Sequence, residues 1–124
     1  MKNIWLDGIM GLVVGDALGV PAEFASREEL KESPVTGMEG FGTYNLPAGS
    51  WSDDSSMTLA TLDSLRNGYD PADMMDKFVA WYEKGEYTPY GEVFDIGNTC
   101  ARAVEQYLRG ADLSECGGYG EKDN

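Results

Sequence analysis

The chain has 124 residues, the length of one modest domain, and carries 22 Asp plus Glu against 9 Lys plus Arg for a formal charge of −13. A field of that sign repels phosphate backbones, so no direct nucleic-acid affinity is expected. Histidine is absent, which removes the usual imidazole ligand of zinc and the commonest neutral-pH proton shuttle and leaves acid–base work to carboxylates.

The first predicted helix covers residues 3 to about 19. Asp7 and Asp16 interrupt its apolar run and Gly8, Gly11, Gly15 and Gly19 punctuate it, so neither a signal peptide nor a membrane span is expected. The glycines recur at spacings of three, four and four, which sets them along one side of the helix. Each weakens a helix by roughly 1 kcal/mol relative to alanine, so four on one side point first to close packing against another backbone and second to a ligand.

The segment from Val20 to Trp51 contains Pro21, Pro34 and Pro47 and reads as one long loop, a kind of connection that often carries function. It joins Asp16 and Glu23 to Ser52, Asp53 and Asp54, so a loop folded back on itself would gather these acidic groups into one cleft.

A second helix is predicted from Ser52 to about Asn67, with Gly68 as its stop. Ser52 has the residue type of an N-cap, Asp53 and Asp54 fill the first turn, and Met57, Leu59, Ala60, Leu62 and Leu65 supply the apolar pattern. Two readings of this start stand side by side. One is plain capping, in which the acids meet the positive end of the helix dipole. The other is a site for a hard cation, built from a hydroxyl and two adjacent carboxylates.

The third helix opens with Asp70 as cap and Pro71 at the first helical position, carries Met74, Phe78, Val79, Trp81 and Tyr82, and ends near Gly85. Asp70, Asp73 and Asp76 near its start read as a solvated acidic face. After a loop over residues 86–95, the last helix begins near Asp95 or Asn98 and runs through Ala101, Val104, Gln106, Tyr107 and Leu108 to Gly110. A final loop covers 110–124. Cys100 and Cys116 lack any CxxC spacing, so two free thiols in a reducing cytoplasm are expected. No segment alternates like a strand. The fold class expected is all-α, about four main helices with a long loop between the first two.

Three stretches in order, Gly15-Asp16-Ala17-Leu18-Gly19-Val20-Pro21-Ala22-Glu23-Phe24, Leu46-Pro47-Ala48-Gly49-Ser50-Trp51-Ser52-Asp53-Asp54-Ser55-Ser56-Met57 and Phe94-Asp95-Ile96-Gly97-Asn98-Thr99, closely resemble the N-terminal part of the ADP-ribosylglycohydrolase family, of the dinitrogenase-reductase-activating type. The resemblance covers nearly all of the chain. It implies an all-α domain that uses two magnesium or manganese ions to hydrolyse the glycosidic bond between ADP-ribose and an acceptor.

By that resemblance the family's metal-binding triplet falls on Ser52, Asp53 and Asp54, with serine in place of threonine. Glu23 falls at the scissile ribose as an acid–base or gating group, a catalytic role shared as an alternative with the metal-bound Asp54. Asn98 and Thr99 fall near the ligand cleft. Asp16 is read instead as a helix-terminal anchor that holds the first loop by hydrogen bonds.

The family's later glycine-rich Gly-Asn-Gly segment and its distant Asp-x-Asp motif are not among these residues. The resemblance therefore implies that residues 1–124 are a single, incomplete N-terminal part of the domain, inactive alone, with self-association or the C-terminal part of the same polypeptide covering its exposed faces. An ADP-ribose-containing substrate, no membrane and a cytoplasmic location complete the expectations. Two other functions stay open: a non-catalytic acidic helical module of the same fold, and a metal-dependent hydrolase of another phosphorylated or glycosylated small molecule.

Overall fold

In the computed structural model, which describes residues 3–120, five α-helices carry the chain: α1 (Ile4–Gly19), α2 (Arg27–Glu32), α3 (Asp53–Leu65), α4 (Pro71–Lys84) and α5 (Asn98–Leu108). Short 3-10 turns lie at Val20–Ala22, Gly42–Tyr44 and Leu113–Glu115. Extended pairing among the described residues is limited to an isolated antiparallel bridge between Phe41 and Leu46. The all-α class holds, with one more helix than the apolar pattern indicates. The chain divides into two units, Met1–Ser55 and Ser56–Asn124, and α3 runs across the division.

In the first unit, α1 begins where Asn3 Oδ1 accepts the Leu6 N–H at 3.3 Å and passes directly into the Val20–Ala22 turn. The segment read as an irregular loop is in fact built. Ser26 and Glu29 form a reciprocal capping box, Glu29 N–H to Ser26 Oγ at 3.2 Å and Ser26 N–H to Glu29 Oε2 at 2.7 Å, which starts the short α2. Farther on, the Gly42–Tyr44 turn backs onto Val20–Ala22 so closely that a Cβ at Gly42 would lie 2.1 Å from the Pro21 carbonyl oxygen. Only glycine fits there, and its φ of +56° suits it as well.

Ala17 is the one buried residue of α1, while Ile4 and Trp5 are 76% and 80% exposed. The glycine stripe fails the expectation of close packing within these residues. A Cβ on Gly8, Gly11, Gly15 or Gly19 would meet nothing within 4 Å. By length and composition the 19-residue stretch Ile4–Ala22 is nevertheless long and apolar enough to cross a membrane, despite Asp7, Asp16 and the four glycines.

In the second unit, Asp70 caps α4 by accepting from Ala72 N–H at 2.9 Å and Asp73 N–H at 3.3 Å, Pro71 takes the first helical position, and Gly85 closes the helix in the left-handed conformation. Helices α4 and α5 pack together. Trp81 and Val104 are buried, and the Tyr82 hydroxyl donates to Glu105 at 3.0 Å and the Tyr107 hydroxyl to Asp76 at 2.9 Å. Helix α5 starts at Asn98 with Gly97 at its cap, three residues beyond Asp95. Cys100 and Cys116 are both free thiols.

Candidate functional site

The start of α3 is held from outside the helix. Asp16, near the end of α1, accepts four hydrogen bonds through its carboxylate: Ser52 N–H at 2.9 Å, Ser52 Oγ at 2.7 Å, Ser55 N–H at 3.2 Å and Ser55 Oγ at 2.5 Å. A helix leaves its first N–H groups without intrahelical partners, and here a carboxylate from another helix takes one of them while lying at the positive end of the dipole. Asp16 is an anchor, as expected from its place near a helix end. What it anchors is the turn carrying Ser52, Asp53 and Asp54 rather than the loop that follows α1.

The same contacts set the chemistry of Ser52. Its side chain is buried, at 5% exposure, and its hydroxyl hydrogen points to Asp16. A hydroxyl that donates its proton presents only oxygen lone pairs to any further neighbour, the polarity a cation requires. Asp53 is half-buried and Asp54 exposed, both in the first turn of α3. Hydroxyl and carboxylate oxygens are the donors that magnesium and manganese select. The set is also short. No cluster of three acidic, cysteine or histidine side chains able to hold a metal occurs among the described residues, whereas each such ion takes about six oxygens.

Glu23 belongs to the same unit and ends the Val20–Ala22 turn, half-buried. Its carbonyl accepts Thr43 Oγ1 at 2.7 Å, and the same hydroxyl lies 3.3 Å from the Pro21 carbonyl oxygen. The residue that follows, Phe24, is 81% exposed with φ of +62°, a left-handed conformation that bulky side chains rarely adopt. The backbone at Glu23 is thus fixed on both sides, by a pinned turn before it and a strained residue after it.

Asn98 and Thr99 belong to the second unit, as the first two residues of α5, exposed and half-buried respectively. The approach to them runs through a loop tied at its base. Thr88 Oγ1 donates to the Gly85 carbonyl at 2.5 Å and accepts Gly91 N–H at 2.9 Å, while the Tyr87 hydroxyl donates to Asp63 at 2.8 Å. Burial first, then the Asp63 hydrogen bond, pushes the Tyr87 hydroxyl up to about 12. Tyr87 and Lys77 together hold the Asp63 carboxyl below the usual range, and Lys77 Nζ lies 3.3 Å from Asp63 and 3.7 Å from Asp73.

The acidic start of α4 is correspondingly not a purely solvated face. Asp70 caps, Asp73 accepts from Ser64 Oγ at 2.5 Å, and Asp76 accepts from Tyr107. Sequence reasoning also missed the buried serines. Ser50, Ser52, Ser55, Ser56 and Ser64 are at most 5% exposed, and the only trace of this in the chain is the crowding of the first four around Trp51 and the paired aspartates.

Comparison with known proteins adds independent findings. A family model described as ADP-ribosylglycohydrolase matches residues 4–124. The chain is similar to the ADP-ribosylarginine hydrolase Tri1 of Serratia proteamaculans (strain 568), 41% identical over 103 residues that make up 82% of this chain and 27% of that protein. It is 39% identical to the ADP-ribosylarginine hydrolase Tri1 of Pseudomonas putida (strain GB-1), with the same coverage of 82% and 27%. It is 34% identical to the ADP-ribosyl-[dinitrogen reductase] glycohydrolase of Rhodospirillum rubrum over 107 residues, 83% of this chain and 34% of that protein. The chain thus spans about a third or less of the length of these relatives.

Proposed function

The chain belongs to the ADP-ribosylglycohydrolase family, and from that premise we propose that the polypeptide carrying it hydrolyses the bond between ADP-ribose and an arginine side chain, with residues 1–124 as the N-terminal part of the domain. The observation that carries this reading is the start of α3, where a buried serine oriented by Asp16 stands beside two first-turn aspartates. The arginine linkage follows the two similar proteins that are named ADP-ribosylarginine hydrolases.

In this reading Ser52, Asp53 and Asp54 hold magnesium or manganese together with ligands from farther along the polypeptide. When bound, the ions supply Lewis acidity at the ribose and at a water molecule. Asp16 accepts the Ser52 hydroxyl hydrogen and so leaves the oxygen's lone pairs for the ion, as an outer partner of a metal ligand does. Glu23 moves the proton that the departing nitrogen needs, a step that requires hydrogen-bond reach of that nitrogen. Carboxylates near the anomeric carbon favour the positive charge that builds there as the bond breaks.

The test is release of free ADP-ribose from an ADP-ribosylarginine peptide by the full-length polypeptide. Turnover is expected to require magnesium or manganese and to fall about 100-fold or more in Asp53→Asn and Asp54→Asn. Glu23→Gln is expected to lower kcat more than it raises KM. Undiminished, chelator-insensitive hydrolysis by the aspartate variants would refute the assignment.

A further inference from the structure

Two bulky residues of the first unit hold backbone conformations that favour glycine, and both carry exposed rings. Phe24 has φ of +62° and is 81% exposed, while Phe41 has φ of +68° with ψ of −109° and is 63% exposed. Such outliers persist only where the surrounding fold over-determines them, and they gather at sites that act on a ligand. We infer that Phe24 and Phe41 form a docking contact for the acceptor protein that carries ADP-ribose, their rings meeting its surface beside the modified side chain. The inference rests on the hydrolase reading above and adds to it the residues that favour a protein acceptor over a small one.

The frame that holds the rings is built within residues 1–55. Phe41 lies between Gly40 and Gly42, where a Cβ would stand 2.5 Å from the Ala48 nitrogen and 2.1 Å from the Pro21 carbonyl oxygen respectively. Its own N–H is bonded to the Leu46 carbonyl. Phe24 follows Glu23, whose carbonyl accepts the Thr43 hydroxyl at 2.7 Å. The Gly42–Tyr44 turn thus joins the segment of Phe24 to that of Phe41. Neither backbone relaxes without breaking these contacts, so both rings are presented to solvent at a cost in stability.

Position and charge identify the occupant. In the hydrolase reading Glu23 reaches the bond between ribose and acceptor, and Phe24 is its chain neighbour, about 3.8 Å away from Cα to Cα. Small ligands are enclosed in concave pockets. Rings as exposed as these meet a surface that extends outward, and aromatic side chains are enriched at such contacts. Residues 1–55 carry nine Asp or Glu against three Lys or Arg. The acceptor surface that fits is therefore basic, with apolar side chains among its Lys and Arg, and an acidic one is repelled.

The test sets two substrates of the full-length polypeptide side by side: arginine-ADP-ribosylated histone, a basic protein, and ADP-ribosylagmatine, which has no protein surface. Phe24→Ser and Phe41→Ser are each expected to raise KM for the modified histone about tenfold at unchanged kcat, and to change kcat/KM for ADP-ribosylagmatine by less than about twofold. Phe41→Gly is expected to weaken the histone in the same way while moving the urea midpoint upward, because glycine takes that conformation without strain. An unchanged histone KM overturns the inference. So do two substrates slowed alike, or a lower urea midpoint in Phe41→Gly, since either result means that other parts of the polypeptide bury the rings. Should the unsubstituted protein hydrolyse neither substrate, the hydrolase reading fails, and calorimetric binding of the intact modified histone decides the docking contact separately. Weaker binding by the two serine variants then supports it, and equal binding overturns it.

Discussion

At the scale of single residues, Asp16 carries the site without belonging to it. Its carboxylate gathers two backbone and two hydroxyl donors from Ser52 and Ser55, and both serines are buried, so removing it strands polar groups that water cannot easily reach. Asp16→Ala is expected to cost about 2–4 kcal/mol of stability in urea unfolding and to weaken manganese binding as well, because Ser52 loses its orientation. Equal stability, or lost stability with unchanged manganese affinity, would show that the anchor and the proposed metal site are unconnected. The sequence made Asp16 legible as an anchor because its carboxylate sits at a helix end. It did not reveal the partner, since a contact across 36 residues is decided by how the intervening chain folds and not by either local pattern.

At the scale of elements, punctuation was the readable part. Asp70, Pro71 and Gly85 bound α4 as their residue types require, because caps act through the nearest backbone groups. Helix α2 escaped notice for the opposite reason: Arg27–Glu32 contains a single apolar residue, Leu30, and so shows no periodicity, although Ser26 and Glu29 spell its capping box. Gly85 also illustrates a constraint that local reading underestimates. Its φ is +69°, and a Cβ there would lie 2.0 Å from the Gly91 carbonyl oxygen, so the helix end and the folded loop after it share one tight contact. Gly85→Ala is expected to destabilise the protein by about 2 kcal/mol or more in urea unfolding, well beyond the ordinary preference for glycine at a helix end. A loss of only a few tenths would mean that the loop shifts without resistance.

At the scale of the whole molecule, the all-α class and the order of the three motifs were legible, and with them the family. The oxygen donors at the start of α3 were legible as a type. Their sufficiency was not, because a ligand shell is completed by side chains distant in sequence, and these residues span 34% or less of the relatives compared. Helix α1 shows the same division. Its glycine stripe and apolar surface are written for close contact, yet they face open space within the described residues.

The central claim is that Ser52, Asp53 and Asp54 grip a divalent cation that ADP-ribose hydrolysis requires. Its most direct test is anomalous diffraction from crystals of the full-length polypeptide grown with manganese. The account predicts an anomalous peak about 2.0–2.2 Å from a carboxylate oxygen of Asp53 or Asp54, with the Ser52 hydroxyl still bonded to Asp16. A manganese ion bound elsewhere, with those aspartates turned into solvent and no ion beside them, would contradict it.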